Sequence, residues 1–67
     1  MEYRLLIDDY LDANPLYKLC DQYEFEVVSR KWDAVETFIV VEEYGIYSID
    51  DLVEAIEREF MVRVTMK

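Results

Sequence analysis

The chain has 67 residues, and sixteen Asp and Glu against seven Lys and Arg give it a net charge of −9. This charge argues against direct binding of DNA, RNA or anionic membranes, which requires cationic side chains, and it favours basic protein partners. The hydrophobic share of 54%, with one Gly and one Pro, argues against a disordered chain.

The length fits a single domain over residues 1–67 with one small core. The lone Cys20 cannot form an internal disulfide, so nothing in the chain depends on an oxidising compartment. The sequence shows no signal peptide and no apolar run near the roughly 18 residues that a membrane helix needs. We therefore expect a cytoplasmic protein.

The first segment fits two patterns. Tyr3, Leu5 and Ile7 alternate as in a strand, but the apolar residues from Tyr3 to Leu11 also follow the spacing of a helix face. We favour a strand over residues 2–7, with a helix over residues 2–12 as the alternative. Next, Asn14 and Pro15 predict a helix that begins at Pro15 with Asn14 as N-cap and ends before Glu24.

Residues 24–31 and 36–43 predict a β-hairpin with its turn at Asp33 and Ala34. The second of these strands contains the continuous run Thr37-Phe38-Ile39-Val40-Val41. A run without polar interruptions is typical of a strand that is covered on both faces. We therefore predict that this strand lies in the middle of the sheet.

Gly45 follows the central strand, at a position where a left-handed or otherwise strained backbone conformation is most easily accepted. Ser48 and Asp51 have the spacing of a capping box and predict a helix over residues 49–60. Residues 61–67 alternate again and predict a closing strand. The element order is then β-α-β-β-α-β in an α+β fold with two helices on one face, the ferredoxin-like arrangement with strand order 4-1-3-2. A helical first segment would give α-α-β-β-α-β instead.

The chain has few groups that could support catalysis. It has no histidine, and therefore no imidazole base and no His-containing metal site. Cys20 is interpreted as a core residue, and the acidic residues near position 8 lack the Gly and Glu of a calcium loop. We expect no enzymatic activity, no cofactor and no metal.

The far face of the sheet is the candidate functional surface. Simple alternation along the first hairpin strand places Trp32 and Val28 on the face away from Phe25. Depending on its register, the paired strand adds either Phe38 and Val40 or Ile39 and Val41, and we take the first set. An aromatic centre within a charged rim is typical of a protein interface. The predicted partner-binding residues are Trp32, Val28, Phe38, Val40, Glu24, Glu26, Glu36 and Glu42.

Two classes of function follow from this surface. The first is a non-enzymatic module that binds a basic surface of another protein. Acids two apart on a strand, such as Glu24 and Glu26, are expected on one face, and rows of them could imitate phosphates. In size and charge the chain is similar to DNA-mimicking anti-restriction and anti-CRISPR proteins, a resemblance that implies a small phage-type inhibitor. The second is a homodimeric ferredoxin-like structural or regulatory module that buries the same face against its own copy.

Overall fold

The computed structural model describes all 67 residues and contains four strands and two helices. The elements are β1 (Glu2–Ile7), α1 (Ala13–Gln22), β2 (Phe25–Trp32), β3 (Thr37–Glu43), α2 (Ile49–Phe60) and β4 (Val64–Met66). The strands form one antiparallel sheet in the order β2-β3-β1-β4. The α+β class, the strand at residues 2–7 and the predicted strand order are confirmed, and the alternative with a helical first segment is wrong.

β3 lies between β1 and β2, as its composition predicts. Its residues alternate in burial: Thr37, Ile39 and Val41 are completely buried, whereas Phe38 and Val40 on the opposite face are only partly covered. Only the first face contacts the helices. The strand is therefore apolar on both sides but covered by its own chain on one.

The core lies between the sheet and the two helices. α1 contributes Leu16, Leu19 and Cys20, and α2 contributes Leu52, Ala55 and Ile56. They pack with the buried strand residues Leu5, Ile7, Phe25, Ile39 and Val41, and with Leu11. Neither helix has the length and hydrophobicity that crossing a membrane would require.

The predicted α2 helix and its capping box are confirmed. The Asp51 amide donates to Ser48 Oγ over 3.3 Å, and the Ser48 amide donates to Asp51 Oδ2 over 3.4 Å. These reciprocal bonds satisfy two amides that a helix start leaves without partners. Asp50 and Asp51 in the first turn also interact favourably with the helix dipole.

The predicted start of α1 is wrong by two residues. The helix begins at Ala13 after Asp12, and Asn14 lies inside the first turn rather than capping it. Pro15 is the third helical residue, a position where the missing amide costs nothing because first-turn amides have no partner within the helix. Asp12 makes no side-chain cap bond, but its carbonyl accepts the first helical bond, from the Leu16 amide over 3.3 Å.

The left-handed conformation that its position would accept is not found at Gly45. Gly45 does not have a positive φ, whereas Glu24, which packs against it, has a φ of 60°. The backbone carbonyl of Glu24 accepts from Tyr44, and its carboxylate accepts from the Ile46 amide over 3.1 Å. A Cβ at position 45 would lie 2.5 Å from Glu24 Cβ, so close approach explains the glycine.

The closing strand is shorter than predicted. Met61 ends α2 in a left-handed conformation with φ of 57°, which turns the chain back toward the sheet. Only Val64–Met66 pairs with β1, and Met66 is half exposed. The predicted strand over residues 61–63 is therefore wrong, because the turn at Met61 ends the helix and the chain joins the sheet only at Val64.

Thr37 is the one buried polar residue and fixes the connection between β1 and α1. Its hydroxyl donates to the carbonyl of Asp9 over 2.9 Å and accepts from the amide of Leu11 over 3.0 Å. Two backbone groups that form no helix or strand bonds are thereby satisfied by one side chain of β3. The central strand thus also holds the loop that leads into the first helix.

We predict that Thr37→Val lowers the free energy of unfolding by about 1–3 kcal/mol, because the Leu11 amide and Asp9 carbonyl lose their partner. The measurement is equilibrium unfolding in urea. Thr65→Val on the exposed edge strand is the matched control and should stay within about 0.5 kcal/mol of the wild type. Equal effects at both positions would show that the Thr37 bonds contribute no stability.

We predict that Gly45→Ala destabilises the chain by about 1–3 kcal/mol through its collision with Glu24. In a Glu24→Gly background the same substitution should cost much less, because the colliding side chain is gone. The double-mutant cycle is measured by urea unfolding. An identical cost in both backgrounds would contradict the packing explanation.

Candidate functional site

The face of the sheet opposite the helices, called the open face below, has no covering element. The strand register places three residues of each long strand on it. They are Glu2, Arg4 and Leu6 of β1; Glu26, Ser29 and Lys31 of β2; and Phe38, Val40 and Glu42 of β3, with Thr65 of β4 beside Leu6. The open face is therefore a defined surface of about ten side chains.

The centre of the open face is apolar. Leu6 lies directly opposite Phe38, and Val40 is two residues further along the same strand. All three are only partly buried, although they lie in the two inner strands. Arg4 opposite Val40 and Lys31 opposite Phe38 flank this centre with cations. Two of the predicted partner-binding residues, Phe38 and Val40, therefore lie in an apolar centre beside charged residues, and their role in binding stays a prediction.

A row of three carboxylates crosses one end of the open face. Glu42 is paired with Glu2 on one side and with Glu26 on the other. Neighbouring strands are about 4.8 Å apart, and like charges placed directly opposite each other destabilise a sheet. The acid row of Glu2, Glu42 and Glu26 therefore costs folding free energy, and no cation occupies a position within it.

The prediction that Trp32 lies on this face is wrong, and a β-bulge is the reason. Val27 pairs with Val41, but Ser29 pairs with Val40, so Val28 is an extra residue without a partner. The bulge reverses the alternation of the rest of β2. Trp32 pairs with the buried Thr37 and lies on the helix side.

The same reversal moves Arg30 to the helix side, opposite Ile39. Its guanidinium lies 4.3 Å from the ring centre of Trp32 and 5.7 Å from that of Tyr10. It also donates to the carbonyl of Leu11 over 2.6 Å. Trp32 is 57% exposed and makes a cation–π contact with Arg30 of the same chain. It therefore does not form the centre of the open face.

The other predicted contact residues divide between the open face and its surroundings. Val28 is 45% exposed, and alternation from Val27 places it on the open face at the bulge. Glu26 and Glu42 belong to the acid row. Glu24 precedes β2 and bonds to the Ile46 amide, so the expected pairing of Glu24 with Glu26 on one strand face is wrong. Glu36 lies outside β3, exposed in the hairpin loop, where its amide donates to Asp33 Oδ1.

The reactive groups of the chain are few. Cys20 is completely buried, and burial raises the pKa of its thiol to about 12, which keeps it protonated at neutral pH. Its assignment to the core is confirmed. The structure contains no group of three or more Cys, Asp or Glu side chains that could hold a metal ion together, and this includes the acid row.

None of the sixteen acidic side chains is buried. Those of α2 include Asp50, Asp51, Glu54 and Glu59, which belong to the helix layer and not to the acid row. On the open face the acids lie beside the partly exposed side chains of Leu6, Phe38 and Val40. Surface acids alone promote solubility, whereas the combination with an apolar centre favours binding.

No family model, no curated protein and no solved structure matches this chain. The function must therefore be inferred from the chemistry of its surfaces.

We predict that Glu42→Gln raises the free energy of unfolding by about 0.2–1 kcal/mol, because it removes the central charge of the acid row. The gain should shrink at high salt, which screens the repulsion. Glu54→Gln is the control, since Glu54 stands four residues before Arg58 on α2, an attractive spacing. If urea unfolding shows that Glu42→Gln is the more destabilising of the two, the acid row is not a repulsive cluster.

Proposed function

We propose that the chain is a non-enzymatic protein-binding module whose open face docks on a basic, nucleic-acid-binding surface of another protein. The observation that supports this most is the acid row beside an uncovered apolar centre. Leu6, Phe38 and Val40 supply the area that binding can remove from water, at roughly 25 cal/mol per Å². Glu2, Glu42 and Glu26 supply the charge that selects a basic partner.

The acid row also has a cost that favours a functional explanation. Repulsion between the three carboxylates weakens the fold, and features that reduce stability are expected at functional sites. A partner that brings Lys or Arg to this row would relieve the repulsion on binding. Steering by a net charge of −9 would also speed the encounter with a basic protein and make it sensitive to salt.

The outcome we propose is inhibition. A chain that covers the basic surface of a nucleic-acid-binding protein blocks access of the nucleic acid, which is how a small phage-type inhibitor would act. Imitation of DNA would be limited to the acid row, because Arg4 and Lys31 flank the apolar centre. The affinity would then come from apolar contact and the specificity from the acids.

A homodimer through the open face is a weaker interpretation. Each copy carries a net charge of −9, so two copies that meet through this face repel each other. Screening reduces this repulsion at high salt, so self-association would strengthen as salt is added. A complex with a basic protein would respond in the opposite way.

We predict that the wild-type chain, immobilised on beads, retains a basic nucleic-acid-binding protein at low salt and releases it at high salt. Val40→Lys should abolish retention, because it places a charge at the apolar centre, and Glu42→Lys should do so by interrupting the acid row. Glu54→Lys on α2 makes the same charge change as Glu42→Lys outside the open face and should retain the protein. The retained protein is identified by mass spectrometry.

Added duplex DNA or RNA should compete with the chain for the retained protein. Light scattering of the free chain should give the mass of one copy at low salt. Retention that survives Val40→Lys, or that nucleic acid does not reduce, would contradict the proposal.

A further inference from the structure

A groove of about 570 Å³ lies between α1 and β2, at the edge of the sheet. Its volume falls within the range of small-ligand sites. It is lined by Tyr17, Asp21, Phe25, Glu26, Val27 and Tyr44. None of these residues is cationic, and four of them are aromatic or aliphatic.

The walls of the groove are aromatic. Tyr17 and Asp21 are one turn apart on α1 and therefore share a helix face. Tyr44 follows β3, and its hydroxyl donates to Asp21 Oδ1 over 2.6 Å, which fixes the ring at the mouth of the groove. Tyr17 is 41% exposed and Tyr44 is 58% exposed. Phe25, which is buried, and Val27, which is partly buried, supply the apolar lining.

The electrostatic environment of the groove is negative. Asp21 and Glu26 are among its lining residues, and Glu24 is close enough to act on the same tyrosine. The pKa of Tyr44 is raised to about 12, first by its hydrogen bond to Asp21, and then by burial and by the charges of Asp21, Glu24 and Glu26. A cation in the groove would meet carboxylates and tyrosine rings together.

We propose that this groove binds an arginine side chain of the protein partner, which rests on the proposed function. A guanidinium is flat, stacks on aromatic rings and offers five donors to carboxylates, whereas an ammonium is more strongly hydrated and more compact. The chain already stacks its own Arg30 on Trp32 and Tyr10. The groove offers tyrosine rings of the same kind to an external guanidinium, and it adds the carboxylates of Asp21 and Glu26.

The groove is continuous with the proposed docking surface. Glu26 lines the groove and is also the outermost carboxylate of the acid row. A partner seated on the open face would therefore need only to extend one long side chain around the edge strand β2. Arginine has the length and the charge for this position.

The test titrates Nα-acetyl-arginine N-methylamide into the isotope-labelled chain and follows backbone amide shifts by NMR. We expect saturable shifts at Tyr17, Asp21, Val27 and Tyr44, with affinity in the millimolar range. The citrulline analogue has the same shape without the charge and should cause no saturable shift. Asp21→Asn should weaken arginine binding about tenfold, because a charge-assisted bond is lost. Asp50→Asn on α2 should leave it unchanged.

If citrulline binds as tightly as arginine, the charge of the ligand does not contribute to binding. If the lysine analogue binds more tightly than arginine, the groove prefers an ammonium group. Either result, or no binding, overturns the proposal. The titration contains no partner protein, so its outcome is independent of the bead experiment. If arginine does not bind in the titration but Val40→Lys still abolishes retention on beads, the arginine site is rejected and the proposed function is not. Retention unaffected by Val40→Lys would reject the proposed function.

Discussion

The structure depends on a central strand that is apolar on both faces in a chain with helices for only one. Thr37, Ile39 and Val41 lie under the helices, and Phe38 and Val40 do not. Both helices connect strands of the same sheet and both pack on the same side. The connectivity that gives β3 its inner position therefore also leaves its second face open.

The elements around β3 are fixed largely by contacts between residues distant in sequence. Thr37 holds the loop before α1, and Glu24, just before β2, holds the loop after β3 through its bond to Ile46. Gly45 allows the approach of Glu24. These contacts lie on the helix side of the sheet or at its ends, so none of them limits access to the open face.

Local patterns predicted much of this fold. The continuous apolar run identified β3, and the capping pair Ser48 and Asp51 identified α2 to the residue. Both signals lie within a few neighbouring residues, where sequence directly determines structure. Asn14 and Pro15 indicated a helix start but gave the wrong residue, because Pro is tolerated throughout the first turn.

The remaining features could not be read from local patterns. The bulge at Val28 has no Gly or other marker, and it moved Trp32 to the opposite side of the sheet. The acid row could be predicted only by knowing that Glu42 lies between Glu2 and Glu26, which are distant from it in the chain. The groove likewise depends on Tyr44 meeting Asp21 across two elements. Alternation is a reliable guide to a strand face only while the ladder is regular.

We propose that the open face is uncovered in the free chain and is covered by a different protein in the complex. Cys20 is buried with a raised thiol pKa, so a single introduced cysteine can report on a chosen surface. The measurement compares thiol-labelling rates of Val40→Cys and Glu54→Cys, free and with the retained partner. Fast labelling of both free chains, with protection of Val40→Cys alone when the partner is added, is the predicted result. Protection of Val40→Cys in the free chain that grows with its concentration would show that a second copy covers the face, and would contradict this account.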